Sequence, residues 1–364
     1  GLGFVVACAV IALGVLLLVR DSERSGNERP EGSASAPEGV AEGLSPAQQE
    51  ELRRIATLGY IAGSEPVPEQ SGVVTYDHDA VFHGPTLYSM SEGSAAVLID
   101  MNGDVIHSWS YPGFKSWGRA HVYENGDVLV ITEDYPHLMK LDKSSGLLWE
   151  WNKAAHHDFE VQPDGTIAVL VSEEVTRPYI CDGKPFLSDA IILLSSDGAP
   201  IWRASILEAF ERSKSYPNWL TDHIVPGNTD PLHANSLELL ERDGRPLALV
   251  SIRNLDTVAT VDLGTGEIAW AVTGAWRRQH EAQFVCDHLL LFDNLGMENQ
   301  TRVLELDTNS MEVVWSFTEP GFFSESEGAQ QRLPNGNTLI TESDNGRLIE
   351  VTLEGRIVWE YINP

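Results

Sequence analysis

Five segments of this chain place a polar or bulky aromatic residue just before an apolar run that resembles a β-strand. RQHEAQ, for example, puts a histidine ahead of the run FVCDHLLLF. An imidazole at such a position can attack an electrophile, exchange a proton or bind a metal ion. Aligning the five segments gives the first candidate site residues, which are Trp117, His156, His233, His280 and Glu327.

A second strand follows most of these positions, and in a hairpin its end lies opposite the start of the first strand. Arg253 in SIRN is therefore expected to face His233. In the same way, Asp293 and Asn294 in LLLFDN are expected to face His280. An arginine beside several imidazoles suits a tetrahedral oxyanion, because the guanidinium offers forked N–H donors.

The same residues leave some chemistries open and disfavour others. Three histidines could bind a metal such as zinc, but they lie on different strands and Arg253 would repel a cation, so we expect no metal site. His157 takes the place of His156 if the strand register is shifted by one residue. The chain has no GxxxxGKS/T loop and no GxGxxG after a strand, so a nucleotide donor is not indicated.

Repeated strand patterns must position these side chains. A strand–turn–strand unit such as IDMNGDVIHSW or VDLGTGEIAWA recurs six times, and five copies are followed by a second hairpin unit. Four strands per repeat, at a spacing of about 40 to 50 residues, are typical of propeller blades. We therefore predict an all-β, six-bladed propeller over residues 73–364, with the sixth copy completed by the segment GPTLYSM at residues 84–90.

In a propeller, the first strand of each blade lines the central channel, so the five aligned side chains should converge at the mouth of that channel. Tryptophans recur at one position of the unit and are expected to pack between blades. This set is Trp109, Trp149, Trp202, Trp270, Trp315 and Trp359. Two longer repeats carry the insertions TRPYICDGKPFLSD and FERSKSYPNWLTDHIVPGNTDP, which should line one face of the disc.

The composition restricts the partners. The chain has 24 Lys and Arg against 54 Asp and Glu, a formal charge of -30, which repels the phosphate backbone of nucleic acids. An anionic substrate would need a locally built site of arginine, histidine and backbone N–H groups. We therefore expect no nucleic-acid partner and treat each buried arginine as informative.

The N-terminal region differs in character from the repeats. Residues 1–20 include the uncharged run Leu2–Val19, which is long enough to form a transmembrane anchor or a signal segment. Residues 21–72 resemble an acidic flexible linker with a short amphipathic helix at 45–60. Because acidic residues follow the span, we expect the propeller on the periplasmic or extracytoplasmic side of the membrane. A lipidated leader ending at Cys8 and a disulfide between Cys181 and Cys286 remain open.

The site segments also carry a family resemblance. DPLHANSLE, SIRN, QHEAQ, LLFDN and RLPNGNTLITES resemble the bacterial arylsulfate sulfotransferase family, the type independent of 3′-phosphoadenosine 5′-phosphosulfate, and the resemblance covers nearly all of residues 84–364. It implies a six-bladed propeller and export from the cytoplasm. It also implies transfer of a sulfuryl group from a phenolic sulfate ester to another phenol through a histidine intermediate, without a cofactor.

The resemblance assigns roles to residues of this chain. His280 matches the nucleophile, His233 and Arg253 match sulfuryl binding, and His156 or His157 matches the remaining histidine. We add four expected substrate contacts, which are Asn235, Glu327, Trp117 and Asp293. Asp293 or Glu281 is expected to orient the ring of His280, a hypothesis based on proximity in sequence.

Two departures from the family pattern support an alternative function. A membrane span and an acidic tether stand in place of the N-terminal β domain that some members have. Arg253 is followed by Asn254 and Leu255, where the family resemblance leads us to expect a His-Gln pair. The alternative is a non-catalytic, membrane-tethered propeller that acts as a scaffold or binding module for protein partners.

Overall fold

The computed structural model of the protein describes residues 71–90, 93–133, 136–298 and 300–363. In this part of the chain, 24 strands form six antiparallel sheets, so the prediction of an all-β, six-bladed propeller is confirmed. The predicted membrane span, the amphipathic helix and the acidic linker up to residue 70 lie outside the described residues, and Gly72, the last residue predicted for the linker, begins the first strand instead. Within those residues, no helix combines the length and the apolar character that crossing a bilayer requires.

The blades follow one another in chain order, and each begins with its innermost strand. Blade 1 consists of β2 (Thr86–Ser89), β3 (Ala95–Ile99) and β4 (Val105–Ser110). Blade 2 consists of β5 (Trp117–Val122), β6 (Val128–Thr132), β7 (His137–Leu141) and β8 (Leu147–Trp151). Blade 3 consists of β9 (Ala155–Val161), β10 (Ile167–Thr176), β11 (Pro185–Leu194) and β12 (Pro200–Ser205).

The second half of the ring repeats this arrangement. Blade 4 consists of β13 (Ala234–Arg242), β14 (Arg245–Ile252), β15 (Thr257–Asp262) and β16 (Ile268–Thr273). Blade 5 consists of β17 (His280–Val285), β18 (His288–Met297), β19 (Gln300–Asp307) and β20 (Val313–Phe317). Blade 6 consists of β21 (Ala329–Arg332), β22 (Thr338–Glu342), β23 (Arg347–Val351), β24 (Ile357–Ile362) and, at its outer edge, β1 (Gly72–Tyr76).

Side chains hold the innermost strands of blades 3, 4 and 5 to one another. Each of these strands is the edge strand of its sheet, so a buried backbone N–H on its open side needs an acceptor from outside the sheet. Asp158 Oδ2 accepts from the N–H of Leu237 at 2.7 Å, and Ser236 Oγ accepts from that of Ala282 at 2.9 Å. These contacts fix the position of each inner strand relative to the next, and with it the ends that carry the histidines.

Tryptophans and the N-terminal strand close the ring. Trp109 Nε1 donates to the carbonyl of Gly126 in blade 2, and Trp359 Nε1 donates to that of Met101 in blade 1, both at 3.0 Å. For these two residues, the predicted packing between blades is confirmed. β1 pairs with β24, so the first and last strands of the propeller lie side by side in blade 6.

The two insertions lie at the same end of the blades as the histidines. One joins β10 to β11 and includes a 3₁₀ turn at Cys181–Gly183, and the other contains α1 (Ile206–Arg212) and α2 (Trp219–His223). They contact each other where the N–H of Leu187 donates to the carbonyl of Thr229 at 2.8 Å. The buried thiol of Cys181 donates to the carbonyl of Asn228, so Cys181 is not joined to Cys286.

Candidate active site

The histidine-bearing strands are irregular at their first residues. The register with the neighbouring strand shifts near the start of β9, β13 and β17. Such bulges turn side chains toward directions that a regular strand does not allow and are common next to active sites. The backbones of His157 and His233 also have positive φ angles of 56° and 54°. Non-glycine residues seldom adopt this conformation, so the surrounding structure must hold both histidines in place.

His157 and His233 form a close pair. Their Nε2 atoms are 3.2 Å apart, and Nδ1 of His233 lies 2.5 Å from Oδ2 of Asp230. The ring of His156 packs edge-on against that of His157, with centroids 5.0 Å apart, and its Nε2 lies 3.1 Å from Oδ1 of Asp189. Of the two neighbouring histidines, His157 therefore makes the direct contact with His233, and His156 lies beside it.

Asn294 determines which nitrogen of His280 carries the proton. The amide Nδ2 of Asn294 donates to the carbonyls of Ser324 and Glu327, at 2.9 and 2.8 Å. Its Oδ1 must therefore be the atom that faces His280, and it lies 2.7 Å from Nδ1 of that ring. The carbonyl of Arg278 is a second acceptor at 3.1 Å. Nδ1 is thus the donor, and Nε2 of His280 keeps its lone pair, as a nucleophile requires.

Burial keeps His280 and His157 neutral. The pKa of His280 is lowered to about 3, mainly by burial and in smaller part by the charge of Arg253, against the opposing effect of the Asn294 hydrogen bond. The pKa of His157 is also lowered well below the ordinary value, mainly by burial and then by the charge of His233. At neutral pH the Nε2 of His280 is therefore available for attack.

Arg253 lies opposite His233, as predicted. Its backbone N–H donates to the carbonyl of His233 at 3.1 Å, and its Nη1 donates to Oδ1 of Asn254 at 3.1 Å. Asn254 in turn donates through Nδ2 to the carbonyl of Asp230 at 2.7 Å. Asn254, which departs from the expected family pattern, thus connects the guanidinium to the loop that precedes His233.

Asp293 does not contact the cluster. Its fully buried carboxylate accepts from the N–H groups of Arg277 and Gly296, both at 2.8 Å, and from Nε of Arg302 at 2.7 Å. The prediction that Asp293 orients His280 or contacts substrate is therefore wrong. Successive residues of a strand point to opposite faces, and here the following residue, Asn294, is the one that reaches the ring.

Glu281 is also directed elsewhere. Its carboxylate oxygens lie 2.8 and 2.7 Å from Nη1 of Arg119, whose Nε lies 3.0 Å from Oδ1 of Asp158. Glu281 therefore does not orient His280. Blades 2 and 5 lie on opposite sides of a six-bladed ring, so the contact between Arg119 and Glu281 spans the channel. Local sequence carries no signal for this contact.

Two of the other predicted substrate contacts, Trp117 and Asn235, have structural roles. Trp117 is completely buried in an apolar cluster with Trp109 and residues of blades 1 and 2, so the expectation that it contacts substrate is wrong. Asn235 is buried, and its Nδ2 donates at 2.8 Å to the carbonyl of Gln279, the residue before His280. Asn235 thus fixes the backbone that carries His280.

Glu327 lies beside the support of His280. Its carbonyl accepts from Asn294, and its half-buried carboxyl group has a pKa raised to about 8 by burial and by the charges of Glu133 and Asp344. Glu327 is therefore a proton-binding group near the cluster at neutral pH.

The cluster can attack an electrophile and bind an anion. His280 supplies a neutral nucleophilic nitrogen, and the side chains of Arg253, His157 and His233 provide N–H groups that suit the oxygens of a tetrahedral group. Among the residues that the structure describes, no three His, Cys, Asp or Glu side chains are arranged to hold a metal ion. Sequence reasoning missed Asp230, although its position three residues before His233 in DPLH was a usable signal.

Known proteins provide a separate line of comparison. The profile of the arylsulfotransferase (ASST) family matches residues 101–364. No curated protein is significantly similar to the chain in sequence. Among solved structures, a protein of unknown function from Bacteroides caccae is 13% identical with a TM-score of 0.53, over 76% of this chain and 93% of that one. Virginiamycin B lyase from Staphylococcus aureus is 12% identical with a TM-score of 0.48, over 82% and 87%. At such identities, the likeness to the Bacteroides caccae protein shows the fold alone.

Proposed function

The chain belongs to the arylsulfotransferase family, and we propose that it transfers a sulfuryl group from a phenolic sulfate ester to a phenolic acceptor. The observation that carries this proposal is the state of His280. Asn294 holds its Nδ1–H, and burial together with the charge of the nearby Arg253 lowers its pKa to about 3. A neutral nucleophile beside a fixed cation suits attack on an anionic ester.

In the first half of the reaction, Nε2 of His280 attacks the sulfur of the ester. The bond between sulfur and the phenolic oxygen breaks, and its electron pair stays with that oxygen. Arg253 and the histidine pair stabilise the sulfuryl oxygens as charge redistributes. The enzyme then carries a sulfohistidine at His280.

In the second half, the oxygen of an acceptor phenol attacks the sulfur and the electron pair of the N–S bond returns to Nε2 of His280. Phenols have pKa values of about 10, so donor and acceptor oxygens are similar leaving groups. The exchange is therefore close to thermoneutral and needs no nucleotide as a driving force. The substrates we propose are aryl sulfates and phenols.

The position of the enzyme in the cell is part of the proposal. The uncharged run Leu2–Val19 and the acidic residues that follow it support a membrane anchor with the propeller on the extracytoplasmic side. The alternative of a non-catalytic scaffold rested mainly on Asn254. Because Asn254 hydrogen-bonds both Arg253 and the carbonyl of Asp230, its presence is compatible with an organised site.

The test uses the full-length protein in detergent, 4-nitrophenyl sulfate as donor and phenol as acceptor. We expect nitrophenol release that depends on the acceptor, and an intact-mass gain of one sulfuryl group when the acceptor is omitted. His280→Ala should lose both signals, whereas His288→Gln, a change at the far end of the same hairpin, should keep them. An adduct that persists in His280→Ala would exclude His280 as the nucleophile. A folded wild-type protein that releases no phenol from any donor of a broad panel would favour the scaffold.

A further inference from the structure

The contacts of Asp230 lie outside the roles assigned so far. Its carboxylate Oδ2 lies 2.5 Å from Nδ1 of His233, and both side chains are buried. The N–H of Asp230 donates to Oδ1 of Asn228 at 2.9 Å, and its carbonyl accepts from Asn254. The carboxylate is thus held by its own backbone in a fixed position against the ring.

This carboxylate fixes the tautomer of His233. A carboxylate can only accept, so Nδ1 of His233 carries a proton and its Nε2 is the nitrogen that faces the cluster. That Nε2 lies 3.2 Å from Nε2 of His157. A single proton fits between two nitrogens at this distance, since one must donate and the other must accept.

We infer that Asp230, His233 and His157 form a proton relay that protonates the departing phenolate and deprotonates the incoming phenol. The inference rests on the proposed sulfuryl transfer and adds acid–base catalysis to it. Asp230 is a positioning residue in this relay, because it acts through His233. The chemical class of substrate that benefits is an unactivated phenol, whose anion is too basic to leave easily without a proton.

The proton is accounted for in both halves of the reaction. When the anionic ester binds, His233 carries protons on Nδ1 and Nε2, and the charges of the ester and of Asp230 stabilise the imidazolium. As the S–O bond breaks, the phenolic oxygen keeps the electron pair and takes a proton from Nδ1 of His157. At the same time Nε2 of His157 takes the proton that it shares with Nε2 of His233, which leaves His233 neutral with a lone pair on Nε2. The hydrogen bond from the neutral His157 then satisfies that nitrogen.

The second half reverses these movements. The acceptor phenol gives its O–H proton to Nδ1 of His157 as its oxygen attacks the sulfur of the sulfohistidine, and Nε2 of His157 returns its proton to Nε2 of His233. The N–S bond breaks, its electron pair returns to His280, and the imidazolium beside Asp230 is restored. Because donor and acceptor are the same class of compound, microscopic reversibility requires the same group to serve both steps.

Several charged or titratable groups face this pair and contribute to its pH dependence. His280 and Arg253 face it from blade 5 and from the turn after β14, and their charges lower the pKa of His157. On the side of blade 3, His156 is next to His157, and Asp189 accepts from the N–H of Ala234 at 2.8 Å. Asp230 is therefore the carboxylate whose removal changes the relay without breaking a contact to the nucleophile.

The experiment compares Asp230→Asn with wild type on two donors by single-turnover kinetics. Nitrophenolate leaves readily without a proton, so its release should change by less than about threefold, and its full amplitude would show that the variant is folded. With unsubstituted phenyl sulfate, formation of the sulfuryl enzyme should slow by about 10²-fold or more, since general acid catalysis contributes this much. The pH profile of the phenyl sulfate reaction should also change in the variant.

The matched control is Asp222→Asn, which alters an exposed carboxylate in the same inserted segment and should leave both donors unaffected. Equal slowing of both donors in Asp230→Asn would contradict the relay and assign Asp230 a purely structural role. Unchanged rates with both donors would also contradict it. If wild type forms no sulfuryl adduct with either donor, the proposed transfer itself fails, which is a different outcome from failure of the relay.

Discussion

Two neighbouring layers of the channel use opposite chemistry. The histidine layer consists of His157, His233, His280 and Arg253. The carboxylate layer consists of Arg119, Asp158, Glu160, Glu238 and Glu281. Asp158 and Glu281 directly follow His157 and His280, so one step along each strand separates an imidazole from a carboxylate.

Burial shifts the pKa values of the two layers in opposite directions, but in both layers it favours the neutral form. It lowers the pKa of His280 to about 3 and raises that of Glu238 to about 8. Both groups are then neutral at pH 7, because desolvation disfavours the charged form of either type. An arginine carries the fixed charge in each layer. Arg253 lies among histidines and is available to bind an anion, whereas Arg119 is paired with carboxylates and stabilises the fold.

The largest expected effect concerns the fixed charge of the histidine layer. Arg253→Lys should lower the rate of sulfuryl transfer by about 10²-fold, because a point charge cannot reproduce the forked donors that stabilise an oxyanion. Single-turnover release of nitrophenol measures this rate. An unchanged rate would show that Arg253 does not act in catalysis, and the histidine layer would then not differ from the carboxylate layer in function.

A second change tests why His280 is neutral. Since its pKa lies near 3, protonation of His280 should not reduce wild-type nitrophenol release between pH 8 and pH 5. Asn294→Asp places a carboxylate against Nδ1, which should raise the pKa of His280 toward the ordinary value of about 6.5. The variant should therefore lose activity as the pH falls through this region, with a roughly tenfold lower rate at pH 5 than at pH 8. A flat profile for Asn294→Asp would show that this contact does not control the protonation of His280.

A third change tests the carboxylate layer. Arg119→Met leaves Asp158 and Glu281 without their shared partner. Because the side chain of Arg119 is 37% exposed, solvent screens part of this interaction, and the free energy of unfolding should fall by about 2 kcal/mol. Part of this loss should return as the pH is lowered, because burial raises the pKa of Asp158 to about 8 and protonation removes its uncompensated charge. Urea denaturation measures the effect. Arg242→Met is the control, since it breaks only an exposed pair with Asp287 and should cost at most about 1 kcal/mol. Equal losses in the two variants would contradict a special role for the buried layer.

The smallest expected effect is the pH dependence of stability. Glu238 has a pKa near 8 in the folded protein and an ordinary value of 4.5, so the folded state holds its proton more tightly. This contribution is complete below about pH 4.5 and is lost as the pH rises through about 8. The melting temperature should therefore fall between pH 6.5 and pH 8.5, and Glu238→Gln should flatten this change.

The buried histidines act in the opposite sense at low pH. Their lowered pKa values contribute stability above about pH 6.5 that is lost as the pH falls toward the folded-state value of His280. The control for Glu238→Gln is Glu241→Gln, at an exposed position of the same strand. A pH dependence that is equally steep in wild type and in Glu238→Gln would mean that other groups dominate.

The fold could be predicted from the sequence because its signals are local and repeated. Each blade contributes turns, alternating strands and a tryptophan, so six weak patterns support one another. The same alignment located His233, His280 and Arg253 at the mouth. It could not choose between His156 and His157, because the register shift in β9 is set by contacts with neighbouring strands.

The remaining site contacts involve an inserted segment and residues distant in sequence, and the repeat pattern predicts neither. Asp230 reaches His233 only because the insertion with α1 and α2 returns along the mouth before β13 begins. Arg119 meets Glu281 across the channel, at a separation of 162 residues. Asp293 and Asn294 could not be distinguished, since one residue of offset at a strand end reverses which side chain points inward.

The contact between Arg119 and Glu281 also has a kinetic consequence. A bridge across the channel leaves the mouth as the path by which small molecules reach His280 and depart from it. In the proposed sulfuryl transfer, the phenol released from the donor would have to leave the mouth before an acceptor could enter, so we expect turnover to follow a compulsory order. We then expect the two phenols to compete for the same sulfuryl enzyme, and accumulated product phenol to take the sulfuryl group back and slow net transfer.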